Sequence, residues 1–231
     1  MIEIIPGVHD IDLGIVHAYL YQEADRLSLI DTGLANSGPA IVDAIDGIGR
    51  KMHDLKQIVV THYHSDHMGS LAELVERSGA SVLAHALDAP VIRGEQLAEA
   101  PNLSAAEKKV HAGISKSVEP ARHCPVDREL LDGGEIDLDG GPQAVHVPGH
   151  TAGSIAVYLP KRRALFTGDA AARMPDGQLL VGVFNVDPKQ TRASFRRLAE
   201  LEFDAVFFGH GAPMERDAAL AFRRLAEKLA C

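Results

Sequence analysis

Apolar and polar positions change period several times along the chain, and each change marks an element. Residues 14 to 31, "GIVHAYLYQEADRLSLID", crowd apolar and β-branched residues into two arms around a polar turn at Gln22 to Arg26, which predicts two strands. "DTGLANSGP" breaks that pattern, and Pro39 is placed to open a helix through "AIVDAIDGI", stopped by Gly47 and Gly49. "LKQIVV" reads as a short buried strand. "SLAELVERSGA" reads as a helix with Ser70 as N-cap, Glu73 three residues later and Gly79 as the stop, and "SVLAH" as a further strand.

Between about residues 90 and 125 the strand signal vanishes. The segment is polar and punctuated by proline, with a helix expected after Ser104, and reads as a surface excursion that could act as a lid. Strands and glycine turns return from "ELLDGGEIDLDGGPQAVHVPGH" onward, with strands at "SIAVYLP", "RALFTGD" and "FDAVFFGHG". A helix from Pro188, capped by Asp187, and a closing helix within 213–230 complete the pattern. Strand-rich and helical stretches alternate in each half, which predicts a layered α/β fold with a pseudo-repeat.

Composition narrows what such a fold does. A chain of 231 residues can bury a substantial core, and 46% hydrophobic with 24% charged residues is ordinary for a globular protein. The formal net charge of −9 argues against a nucleic-acid partner, which needs a basic face. No run is long and apolar enough for a membrane span, and the N-terminus lacks a signal-peptide pattern, so the expected location is cytoplasmic with no membrane partner. Cys124 and Cys231 make no disulfide framework and read as incidental.

Candidate chemistry concentrates in "VVTHYHSDHMGS". His62 and His64 lie two apart at the end of a strand and so point the same way, while Asp66 and His67 come one turn later. Imidazole suits zinc, iron and nickel, a carboxylate balances charge, and a catalytic zinc needs about three protein ligands plus an open position. Four such residues in six positions therefore suggest one crowded ion or two that share ligands. More ligands should occur downstream at strand exits beside glycine, and three places qualify: His150 in "VPGHTAGS", Asp169 in "LFTGDA" and His210 in "VFFGHG".

The order HxHxDH, GH, GD, GHG, with "LIDTG" upstream, resembles the metallo-β-lactamase-fold hydrolase superfamily, glyoxalase II-like and lactonase-like members above all. The resemblance implies an α/β four-layer αββα sandwich forming one domain over residues 1–231. It also implies two divalent metal ions, zinc expected and iron or manganese the alternatives. His62, His64 and His150 would hold the first metal. Asp66, His67 and His210 would hold the second, Asp169 would bridge the two, and Asp31 would support the site. His17 and His85 sit on strands leading towards it. The other histidines match no ligand position, and their expected role is structural.

The chemistry implied is that of a metal-dependent hydrolase. Two metals about 3.5–4 Å apart share a hydroxide that attacks an ester, thioester or lactone carbonyl of a small-molecule substrate, and Asp66 moves the proton. No GxSxG or Cys-His arrangement competes. A bridging aspartate and a missing signal argue against β-lactamase-type amide hydrolysis. Only 21 residues follow His210, which weakens the glutathione thioester reading because glyoxalase II appends a helical domain there, and the lactonase tyrosine after the bridging aspartate has no obvious match. A persulfide dioxygenase-like oxidoreductase with one iron is the alternative from another class. Phe184 and Met174 are expected to line the substrate pocket, with Arg173 a candidate for meeting an anionic substrate. The oligomeric state is not readable from the sequence.

Overall fold

In the computed structural model, which describes residues 1–229, the chain divides into two compact units. Cys231 lies outside the described residues. The first unit comprises Met1–Ala98 and Ala112–Glu129. Its sheet runs in sequence order from β1 (Ile2–Ile5), β2 (Val8–Asp12), β3 (His17–Gln22) and β4 (Leu27–Ile30) through β5 (Leu55–Val59) and β6 (Ser81–His85) to β7 (Arg128–Leu130). β1 to β4 are antiparallel meanders, as the polar turn at Gln22 to Arg26 requires. From β4 to β6 the pairing is parallel, so each connection must cross over through helix.

Those crossovers are α1 (Gly38–Gly47), then α2 (Ser65–Met68) with α3 (Leu71–Ser78); α4 (Ala89–Ile92) comes after β6. Alternation along the strands decides the core. Ala18, Leu20, Leu29, Ile58, Val60 and Val82 form one buried cluster with Ile41 and Ile45 of α1 and Leu71 and Leu74 of α3. Each fully buried Leu or Ile contributes about 1.5–3 kcal/mol of apolar burial. Because β4, β5 and β6 are parallel, the residues after their C-terminal ends share one sheet edge, and the histidine cluster leaves β5 at that edge.

One reading from the sequence needs amendment. Ser70 does precede α3, but its hydroxyl does not cap that helix; it accepts from Gly38 N–H and donates to the Leu34 carbonyl, tying α3 to the start of α1. Cys124 lies in the polar excursion, yet its side chain joins the first unit's core. Burial, then the Asp127 and Glu76 carboxylates, push its thiol up to about 11. At neutral pH it is a protonated, inert thiol, consistent with an incidental cysteine. The expected helix after Ser104 is α5 (Ala105–Ile114), which buries none of its residues.

The second unit comprises Glu99–His111 and the chain from Leu130 onward. β8 (Gln143–His146), β9 (Ile155–Leu159) and β10 (Ala164–Phe166) form an antiparallel run. β11 (Ala171–Arg173) and β12 (Leu179–Val181) make a separate hairpin, α6 (Pro188–Ala199) is next, and β13 (Ala205–Phe207) pairs parallel with β10. Asp187 caps α6 as the sequence predicts, its carboxylate accepting from Lys189 and Gln190 N–H. The closing helix is α7 (Ala218–Lys228), shorter than the 213–230 span that contains it. Phe195 of α6, Phe203 and Phe208 pack around Phe222 of α7, with ring centroids 4.8, 5.2 and 6.4 Å from it. Among the described residues no helix is long and apolar enough to cross a membrane.

Candidate metal centre

The histidine cluster is built on the exit of β5. In the first unit the His62 ring lies 4.8 Å from His64 and 4.1 Å from His67, centroid to centroid, and Asp66 Oδ2 is 4.0 Å from His67 Nε2. The short helix α2 brings this about by turning the chain so that His67 comes back under His62. Buried hydrogen bonds hold the turn: Thr32 N–H donates to the His67 carbonyl at 2.6 Å, and Gly69 N–H to the Gly33 carbonyl at 2.8 Å. Gly69 is obligatory there. A Cβ at that position would sit 2.2 Å from Ala35 N, so no side chain fits between the helix and the "DTG" turn.

Asp31 is the anchor of this group. Its backbone has φ +60°, a left-handed conformation that Asp and Asn tolerate better than other side chains. One carboxylate oxygen accepts from Thr61 N–H at 2.8 Å; the other accepts from the Thr61 hydroxyl at 2.7 Å and from His67 Nδ1 at 2.8 Å. With the Thr61 proton committed to Asp31, the 3.1 Å contact between Thr61 Oγ1 and His62 Nδ1 has the imidazole as donor. Both rings therefore carry their proton on Nδ1 and their lone pair on Nε2, the arrangement of a metal-binding histidine oriented by a neighbour.

The second unit carries the other candidates. Asp169 and His210 each come three residues after the paired, parallel strand ends Phe166 and Phe207. Asp169 Oδ2 lies 3.3 Å from His210 Nε2 and 3.4 Å from His150 Nε2. His150 is 2% exposed, and its Nδ1 donates to the Val183 carbonyl at 3.1 Å with Asn185 Oδ1 at 3.3 Å, so its lone pair is also on Nε2. A lone pair and a carboxylate facing each other at this distance repel unless a proton or a cation lies between them. The donor set thus fits a divalent metal. Gly182 closes this socket, because a Cβ there would lie 1.8 Å from the Asp169 carbonyl oxygen.

Several of the remaining histidines make contacts away from these candidates. His17 pairs with Asp10 at 2.7 Å, His9 with Gln22 at 2.9 Å, and His146 Nε2 with the Ala152 carbonyl at 2.9 Å. His85 accepts from Leu87 N–H. Phe184, φ +56°, meets His111 edge to face at 5.2 Å. Nη1 of Arg173 donates to the Pro213 and Ala212 carbonyls at 2.9 and 3.4 Å. Sequence reasoning missed Thr61, Val183 and Asn185, which act on histidine rings through hydrogen bonds. Only Thr61, adjacent to His62, left a signal that could have been read.

A family model described as the metallo-beta-lactamase superfamily matches residues 11–210. The chain is 29% identical to "Probable metallo-hydrolase YflN" of Bacillus subtilis (strain 168), over 90% of this chain and 85% of that protein. It is 30% identical to "Hydroxyacylglutathione hydrolase" of Ruegeria pomeroyi, over 84% of this chain but only 62% of that relative's length. Among solved structures, a metallo-beta-lactamase family protein from Thermus thermophilus superposes with TM-score 0.73 at 23% identity, covering 99% of this chain and 81% of that one. That likeness bears out the α/β, metallo-β-lactamase-type fold expected from the sequence.

Proposed function

From the premise that the chain belongs to the metallo-beta-lactamase superfamily and is a hydrolase, we propose that it is a dinuclear metal-dependent hydrolase of ester, thioester or lactone carbonyls. In this reading His62, His64 and His150 serve one metal, Asp66, His67 and His210 the other, and Asp169 both. The family implies divalent metal; zinc is the ion proposed. The observation that carries the reading is the facing of Asp169 Oδ2 with the Nε2 atoms of His150 and His210 at 3.4 and 3.3 Å, which asks for a cation. Among carbonyl substrates, relatives named hydroxyacylglutathione hydrolase favour a thioester.

When bound, the metals supply Lewis acidity and bring the pKa of water down towards about 7. The chain's own residues do the positioning. Asp31 and Thr61 lock His67 and His62 in one tautomer, and Val183 with Asn185 locks His150. Asp66 is 21% exposed in its side chain, wetter than His67, and is the group that holds and passes on the proton. Asp169 offsets the positive charge with a side chain that is 14% exposed.

A chelator tests the reading. Dialysis against a strong chelator is expected to abolish hydrolysis of thioester, lactone and aryl ester substrates, and added zinc to restore it. Activity untouched by complete metal removal would overturn it.

A further inference from the structure

The second unit contains a cavity of about 460 Å³ whose wall includes Gly149 and Thr151, the two neighbours of His150. Adjacent Cα atoms are about 3.8 Å apart, so the cavity begins within one residue of a proposed ligand. Its other polar walls come from Glu99 and Asn102, ahead of α5, and from Asp187 and Gln190 at the start of α6. Two lining residues are acidic and none is basic. Resting on the hydrolase reading, we infer that this cavity receives one arm of the substrate and selects a cationic or hydroxyl-bearing arm over a carboxylate.

Three further observations support this. The wall carrying Glu99 and Asn102 is pinned in place: Asn102 N–H donates to the Asn185 carbonyl at 2.8 Å, and His111 packs on Phe184. The amides of Asn102 and Gln190 can pair with hydroxyls as donors or acceptors, and the carboxylates of Glu99 and Asp187 accept from N–H or O–H donors. Arg173, the side chain that the sequence offered to an anionic substrate, does not line this cavity, and its Nη1 donates to the Ala212 and Pro213 carbonyls. With a chain net charge of −9, nothing on this wall compensates an incoming carboxylate.

Two measurements on the metal-loaded protein test this. In the first, three 4-nitrophenyl hexanoates whose chains end in trimethylammonium, methyl or carboxylate are compared by kcat/KM. The cationic ester is expected to exceed the methyl one by about two- to fivefold, the upper part of the range of exposed charge pairs. Glu99→Gln should lower that ratio towards one; Asp187 is left intact because it caps α6. Equal rates, or a preference for carboxylate, would overturn the inference while leaving the hydrolase reading standing. In the second, n-butylammonium binding is monitored by saturation-transfer NMR against pentanoate. Binding that weakens in Glu99→Gln supports the inference even if no ester is hydrolysed, a result that would count against the hydrolase alone. No binding, or binding unaltered by the substitution, would overturn the inference whatever the esters do.

Discussion

Asp169→Asn is expected to lower kcat/KM for any substrate of this protein by about 10²- to 10³-fold and to leave it short of metal. Losing only a partner of a metal ligand already costs about 10- to 100-fold, and Asp169 is proposed as a ligand shared by both ions. Asparagine keeps the side chain's volume, so packing beside Gly182 is preserved. What changes is charge and acceptor capacity. An amide presents one acceptor oxygen and no net charge to His150 and His210, whose Nε2 atoms face Oδ2 at 3.4 and 3.3 Å. Unfolding temperatures measured in chelator separate this from a folding defect, because the metal-free variant should melt with the metal-free parent. Full activity and full metal content in the variant would show that Asp169 ligates nothing.

Asp31→Asn should have the second largest effect, about 10- to 100-fold on activity and on retention of one metal. Asp31 touches no proposed substrate position; it acts through His67 and Thr61 and is a positioning residue. Asparagine tolerates the left-handed backbone at this position as well as aspartate does, so the loss cannot be assigned to strain. The carboxylate accepts three hydrogen bonds, two of them at the oxygen that His67 Nδ1 and the Thr61 hydroxyl share. Putting an NH₂ group at that oxygen turns one side of the network into donors facing donors and frees the His67 ring to turn. A purely structural role predicts lower stability in chelator with normal metal stoichiometry. Positioning predicts weakened metal retention, read by competition with a chelating dye.

Much of the fold and nearly all of the candidate chemistry could be read from the sequence, for identifiable reasons. Metal-binding residue types at strand exits beside glycine are rare enough that "THYHSDH", "PGH", "TGD" and "FGHG" stood out without any geometry. Short continuous apolar runs such as "SIAVYLP" and the Pro188 helix with its Asp187 cap gave their elements directly. The first hairpin, β1 with β2, went unread because β1 is half-exposed and a β-bulge interrupts its alternation. Ser70 matched a capping box by spacing, yet tertiary partners took its hydroxyl. Support for the rings was the least legible part. Asn185 lies 35 residues from His150, and Asp31 lies 36 from His67; no local spacing encodes such pairs. The need for Gly69 and Gly182 was equally hidden, since it arises from backbone of distant segments packed against them.

Metal content per chain, by plasma mass spectrometry on protein purified without added metal and again after reconstitution with zinc, tests the central claim most directly. The account predicts close to two equivalents of divalent metal per chain. A protein that retains no stoichiometric metal even after reconstitution would contradict it.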